Sequence, residues 1–154
     1  MGGNTDMGGS LLRAGMDLGR NLARALLEGR AETSMSYDIA VWREESPIAL
    51  PAAKRRYLRL CEGVESMPPC ASVARFCADL LTSYPQPKPR DASPVWASPV
   101  RQDEACALLA AATSRAGTVV PVILRLAAKH ELVCYDPQRE VVVYPPTLAA
   151  LPHL

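Results

Sequence analysis

Alternating polar and apolar positions mark the first regular element, SYDIAVW at residues 36–42. A period of two with β-branched and aromatic residues is typical of a β-strand, whose side chains point alternately to the two sides of a sheet. The alternation places Tyr37, Ile39 and Val41 on one side and Asp38, Ala40 and Trp42 on the other.

Three later segments carry apolar residues at intervals of three and four, which is the helical period. They span residues 52–64, 72–83 and 118–130. Pro51 suits the first turn of the first helix, and Ser72 is a candidate cap for the second. Pro121 is expected in the first turn of the third helix, where a missing N–H breaks no hydrogen bond.

Two apolar runs near the C-terminus, at residues 132–135 and 141–144, are joined by DPQRE and predict a β-hairpin. VWASPV at residues 95–100 predicts a short edge strand, because prolines exclude a central one. The Ala-rich segment 105–114 fits either a helix or a strand that is buried on both faces.

Together these elements predict an α+β domain. Its antiparallel or mixed sheet would contain four to five strands, with about three helices packed on one face and an N-terminal accessory helix. The predicted domain covers residues 35–146, between an extension at 1–34 and a tail at 147–154.

The N-terminal extension has a pattern of its own. Residues 1–10 are Gly-rich, and from residue 10 to about residue 28 apolar and charged residues fall on two faces of a predicted helix. Three interpretations remain open: a helix that docks on the domain or on a partner, a targeting segment, and an extension upstream of a domain that starts at Met35. Four acidic residues disfavour targeting, and we favour the third interpretation.

Composition excludes several classes of function. The chain has 154 residues, 49% of them apolar and 21% charged, which suits one globular domain. A net charge of +1, without a run of five like charges, argues against nucleic-acid binding. The sequence contains neither a long apolar stretch for crossing a membrane nor a recognisable signal peptide, so the expected location is the cytoplasm.

The five cysteines are not spaced as a metal site. Their number is odd and no C-x-x-C pair occurs, so reduced, buried thiols are the simplest interpretation. Gly-rich phosphate loops and G-x-S-x-G motifs are also missing from the sequence. We therefore predict no metal and no cofactor. The cysteines are Cys61, Cys70, Cys77, Cys106 and Cys134.

A cluster near the hairpin, His130 with Cys134 and Asp136, suggests thiol or acid–base chemistry. A nucleophilic Cys needs a base within hydrogen-bond reach and a lowered pKa. The structural interpretation is favoured, because a His at a helix end can bond the last carbonyls and Asp136 begins a turn in which it accepts backbone N–H groups.

Two tryptophans and nearby acids are candidates for a protein-binding surface. Asp38 lies within the first predicted strand, where an acid must be paired or face solvent. Trp42 and Trp96 fit interface anchors and core residues equally well. The candidate partner-binding residues are Asp38, Trp42, Glu44, Glu45, Trp96 and Asp136.

Four stretches together resemble a little-characterised group of small actinobacterial proteins. They are MSYDIAVW, PPCASVARFCADLLTSYP, SPVWASPV and LAAKHELVCYDPQ, within residues 35–146. Members typically open with M-S-Y-D-L-x-V-W and close with H-G-L-V-C-Y-D-P-Q. Two features depart from this pattern: Glu131 replaces the usual Gly, and segment 101–114 is Ala-rich.

The resembled proteins have no established enzyme activity. Some similar small α+β proteins look like immunity or antitoxin partners of polymorphic toxins. Our first hypothesis is therefore a non-enzymatic cytoplasmic binding protein of the immunity type, with a toxin domain as partner and neither nucleic acid nor membrane. The alternatives are a small Cys/His enzyme and an accessory module that docks through its N-terminal helix.

Overall fold

The computed structural model describes residues 36–149. Its strands are β1 (Ser36–Trp42), β2 (Arg101–Gln102), β3 (Cys106–Ala112), β4 (Val133–Asp136) and β5 (Val141–Val143). Its helices are α1 (Leu50–Glu62), α2 (Ala71–Ser83), α3 (Ala116–Lys129) and α4 (Pro146–Ala149), with a 3-10 turn at Thr113–Arg115. The predicted extension at 1–34 and its accessory helix lie outside the described residues.

The strands form one antiparallel sheet in the order β2-β3-β1-β4-β5. β1 is central: it pairs with β3 from Ser36↔Ala112 to Trp42↔Cys106, and with β4 from Ala40↔Tyr135 to Trp42↔Val133. The predicted α+β class is confirmed, and the sheet is antiparallel rather than mixed.

The prediction that the helices pack on one face is wrong. α2 and α3 bury Ile39 and Val41 on one side of β1, whereas α1 and α4 bury Ala40 and Trp42 on the other. Both sets of alternating side chains in β1 include large apolar groups. The strand therefore needs cover on both faces, and its side chains are buried without interruption from Asp38 to Trp42.

The ambiguous segment 105–114 forms β3, which is buried from Cys106 to Ala111. Its alanines favour a helix locally, but pairing with β1 on one edge and β2 on the other overrides that preference. Small side chains also let helices pack closely against the sheet.

The predicted edge strand at 95–100 is only partly regular. Trp96 forms an isolated bridge with Ala111, and the amide N of Ala97 donates to the carbonyl O of Ala110 at 2.8 Å. The regular edge strand, β2, begins later, at Arg101. Pro99 lacks the donor that a continuous ladder requires.

Helix α1 begins and ends where its sequence signals predict. Pro51 lies in the first turn, and Gly63 closes the helix with φ of 72°. This left-handed conformation is one that glycine adopts without a steric penalty.

Two expectations about helix starts are wrong. Cys70, not Ser72, is the N-cap of α2, and the Ser72 hydroxyl instead accepts a hydrogen bond from Arg75 at 3.1 Å. Helix α3 starts at Ala116, because the 3-10 turn before it leads directly into the helix. Pro121 therefore lies inside α3 rather than in its first turn.

The predicted hairpin is confirmed as β4 and β5, with Cys134 paired to Val143. Glu131, which replaces the Gly of the resembled group, adopts the left-handed conformation itself, with φ of 60°. The amide N of Leu132 bonds the carbonyl O of Ala127 at 2.8 Å across this cap. The helix end thus keeps its geometry without the glycine.

The packed part of the chain continues past the predicted boundary at residue 146. Leu148 of α4 is buried in the same apolar cluster as Tyr57 and Trp42, on the α1 face.

Candidate functional site

The turn between β4 and β5 holds a cluster of polar groups around Asp136. The carboxylate of this buried residue accepts hydrogen bonds from the Tyr37 hydroxyl at 2.5 Å, from Gln138 Nε2 at 2.7 Å and from the Arg139 amide at 3.0 Å. The interpretation of Asp136 as a turn residue is confirmed. The hydrogen bonds of its carboxylate hold the turn against β1.

Asp38 lies next to this cluster, on the other face of β1. It is only 2% exposed, and its Oδ1 accepts a hydrogen bond from the Ser36 hydroxyl at 2.9 Å. Its Oδ2 has no hydrogen-bond partner within the described part of the chain. Burial raises the pKa of Asp38 to about 6; the Ser36 hydrogen bond opposes this shift, and the negative charge of Asp136 adds to it.

The side chain of Gln138 fixes the backbone of Asp38 to the turn. Its Oε1 accepts from the Asp38 amide at 2.7 Å, and its Nε2 donates to the Asp38 carbonyl at 2.8 Å. The side-chain amide of Gln138 thus takes the place of a neighbouring strand for Asp38, just past the end of the β1–β4 pairing. Gln138 was not among the residues singled out from the sequence, because its partner lies 100 positions away.

His130 has a partner that the sequence pattern did not indicate. Its Nε2 lies 2.7 Å from Oδ2 of Asp79 on α2, and Lys129 Nζ lies 3.0 Å from the same oxygen. Hydrogen bonds from His130 and Lys129 lower the pKa of Asp79. The group joins the C-terminal end of α3 to α2, so His130 is held for a structural contact.

Cys134 is buried on the α2 and α3 face, and burial, with the charge of Asp136, raises the pKa of its thiol to about 12. The thiolate is the reactive form, so such a thiol is a poor nucleophile at neutral pH. The three residues thus have different structural roles: Cys134 lies in the core, His130 bonds Asp79, and Asp136 holds the turn.

Three other thiols share this property. Burial raises the pKa of Cys61 and Cys77 to about 11 and that of Cys106 to about 12. Cys70, at the N-cap of α2, is only half-buried. It borders a shallow depression of about 440 Å³ whose lining contains neither His nor a cationic group. The lining residues are Pro69, Cys70, Ala71, Ala74, Gln102, Asp103 and Glu104.

Trp42 belongs to the core on the α1 face. It is fully buried, and its indole Nε1 donates to Glu44 Oε2 at 2.6 Å. The Arg56 guanidinium lies over the ring, 6.0 Å from its centroid, and also pairs with Glu44. Glu65 completes the cluster with a contact to Arg56 at 3.1 Å. Arg56 and Glu65 were not predicted, because nothing in a local pattern links them to Trp42.

Trp96 fills the opposite core. It is buried on the α2 and α3 face, and its indole Nε1 donates to the carbonyl O of Tyr84 at 2.8 Å. Both tryptophans are thus core residues, which is one of the two interpretations that their sequence positions allowed. In this conformation neither ring reaches the surface.

Among the six candidate partner-binding residues, Glu45 is the one whose side chain is open to solvent, at 86% exposure, with Arg43 at 3.4 Å. Glu44 is mostly covered by Trp42 and Arg56. The structure therefore does not bring the six residues together as one surface.

The outer face of α1, the helix that follows Glu45 in the chain, is a different kind of surface. Leu50 and Leu58 are 39% and 38% exposed, and basic side chains lie around them. Lys54 pairs with Glu140 at 3.7 Å across the gap to the β4–β5 turn. Pro51 and Glu62 are exposed on this face as well. We call five of its exposed residues the α1 surface: Leu50, Lys54, Arg55, Leu58 and Arg59.

Among residues 36–149, His, Cys, Asp and Glu side chains do not gather in a group of three or more that would hold a metal ion. Of the helices in this same range, none has the length and apolar character needed to cross a membrane.

No protein-family model, no curated protein and no solved structure matches this chain.

Proposed function

We propose that the chain is a non-enzymatic, cytoplasmic binding protein of the immunity type, which neutralises a bacterial toxin by covering its active site. One observation carries this proposal: the candidate reactive groups have structural roles. Cys134 is buried in the core, His130 bonds Asp79, and Asp136 closes a turn. The resemblance of residues 35–146 to the small actinobacterial proteins supports the same class of function.

The proposed contact is the α1 surface with Glu45 beside it. Interfaces draw most of their affinity from a few buried anchor residues that are surrounded by contacts of little energetic weight. Leu50 and Leu58 are the exposed large apolar residues of α1, and charged side chains surround them. We expect Leu58 to be the central anchor, because it lies between Lys54 and Glu62 on the helix.

The mechanism we propose is steric occlusion by a preformed surface. α1 is held to the sheet by Ala53, Tyr57 and Leu60, so its outer face is presented on a rigid support. The backbone of such a surface needs no ordering when a partner binds, which lowers the entropic cost of association. The partner would present an apolar pocket with acidic groups at its rim, facing Lys54 and Arg55.

The first experiment identifies the partner and tests its chemistry. The full chain is expressed in its native host, and stably bound proteins are purified and identified. The identified partner is then expressed alone and together with the full chain. We expect toxicity when it is expressed alone and normal growth when the two are expressed together. A partner that is harmless, or whose toxicity persists while it is bound, contradicts the proposal.

A matched pair of variants tests the surface. Leu58→Glu places a charge at the proposed anchor and is expected to weaken partner binding by roughly 30-fold or more, the size of an interface hot spot. Arg75→Glu changes an exposed residue of α2, on the other side of the sheet, and serves as the control. Equal affinities for the two variants, measured by calorimetry, would place the interface elsewhere.

A further inference from the structure

Asp38 is a buried acid whose surroundings do not compensate its charge. Ser36 donates to one carboxylate oxygen, and the other oxygen has no partner among the described residues. The titratable groups in electrostatic contact with it are Tyr57 and Cys61 from α1, on its own face, and Asp136 from β4, on the other face of the sheet. β3 presents Ala110 opposite it, which has no polar side chain. None of these groups is a cation.

A buried carboxylate with an unpartnered oxygen is costly when charged and tolerable when protonated. The pKa of Asp38 is raised from 3.8 to about 6. The folded state therefore binds this proton more tightly than the unfolded state. The resulting stability is complete below about pH 4 and is lost as the pH rises through about 6.

The same residue is bound to the β4–β5 turn through its backbone. Gln138 bonds both the amide and the carbonyl of Asp38, and Gln138 is itself partly exposed. Its Nε2 also donates to Asp136 on the turn. Gln138 occupies the backbone groups of Asp38 on the side of the turn, so its displacement would let water reach this residue. Loosening the turn would also relieve the repulsion between an ionised Asp38 and Asp136, whose charge already raises the pKa of Asp38. Ionisation of Asp38 is thereby coupled to opening of the turn.

We propose that Asp38 is a proton-sensitive latch: in its neutral form it keeps the turn at residues 136–140 closed on β1, and its ionisation loosens that turn. The latch would make one end of the sheet more mobile at neutral pH than at mildly acidic pH. The proposal does not depend on the identity of any partner.

The test follows the carboxyl carbon of Asp38 by NMR while hydrogen exchange is measured at the Asp38 and Arg139 amides of the full chain. The carboxyl carbon is expected to titrate near pH 6. Protection of the two amides, corrected for intrinsic exchange, should fall by about tenfold between about pH 5 and about pH 7.5. In Asp38→Asn the protection should be independent of pH. Asp79→Asn, which alters an acid on the other face, should leave the pH dependence of the turn unchanged.

Two results would overturn the latch. One is an Asp38 titration near the ordinary value of 3.8 in the folded chain. The other is a raised titration with turn protection that does not change with pH. Both are read from the unmodified chain, so the proposal is decided even where Asp38→Asn fails to fold.

Discussion

Individual polar residues in this protein are engaged mainly with one another. Asp136, Gln138 and Tyr37 tie the β4–β5 turn to β1, and Asp79 with His130 ties α2 to α3. Buried hydrogen bonds of this kind add about 1 kcal/mol each, but losing one partner costs more, because the other is left unsatisfied. Asp38 is the exception, since one of its oxygens has no such partner among residues 36–149.

At Glu131 the chain accepts a strained conformation. A left-handed φ of 60° brings the Cβ atom of a non-glycine residue too close to the backbone. Glu131→Gly should raise the free energy of unfolding by about 0.5–1 kcal/mol. The substitution removes the steric strain of the folded state, and this gain is partly offset by the larger conformational entropy of the unfolded chain. Urea denaturation measures this. Glu131→Ala keeps the Cβ atom and should give no gain; equal effects of the two substitutions would contradict the explanation.

The thiols make a second prediction at this scale. Among the five cysteines, Cys70 alone is not fully buried. A disulfide reagent should therefore modify Cys70 in the folded protein and the other four only after unfolding, because burial keeps their pKa values at about 11 to 12. Cys70→Ser should abolish the fast reaction. Fast modification of Cys134 in the folded chain would revive the Cys/His enzyme hypothesis.

The helices and strands follow local patterns except where packing overrides them. α1 has its proline in the first turn and its glycine at the C-cap, whereas the Ala-rich segment around residue 109 becomes β3 because strands flank it on both edges. Helix α3 tolerates Pro121 in its interior, where the proline removes the hydrogen bond to the carbonyl of Gly117.

Pro121 provides a test of that element. Pro121→Ala restores the missing hydrogen bond and should raise the free energy of unfolding by about 1–2 kcal/mol, since an interior proline costs up to about 3 kcal/mol relative to alanine. Pro51→Ala is the matched control, because Pro51 lies in the first turn of α1 and breaks no bond. Thermal denaturation followed by circular dichroism compares the two. A gain at residue 51 as large as that at residue 121 would argue against this cause.

At the scale of the whole molecule, one sheet separates two apolar cores. Ile39 and Val41 contribute to the core beneath α2 and α3, whereas Ala40 and Trp42 contribute to the core beneath α1. Both cores use the same central strand. If one core unfolds, β1 is no longer held in place and the other core loses its central strand. We therefore expect the two cores to unfold together.

The two tryptophans, one in each core, report on this coupling. Trp42→Phe leaves Trp96 as the probe of the α2 and α3 face, and Trp96→Phe leaves Trp42 as the probe of the α1 face. Each substitution should lower stability by about 1–3 kcal/mol, because the indole hydrogen bond is lost and the smaller ring leaves a cavity in the core. In each variant the fluorescence and circular dichroism transitions should coincide. Separate midpoints would show that the faces unfold independently.

The sequence by itself determined the α+β class, the strand at 36–42, the hairpin and the Gly63 helix end. Periodicity and turn chemistry are properties of neighbouring residues. The tertiary structure alone decided which faces are covered, that segment 105–114 pairs as β3, and that Trp42 and Trp96 are core residues. It also decided the partners of the candidate site: His130 meets Asp79 across 51 positions, and Asp38 meets Gln138 across 100. Burial and such contacts depend on how distant segments pack, and a local pattern carries no information about that.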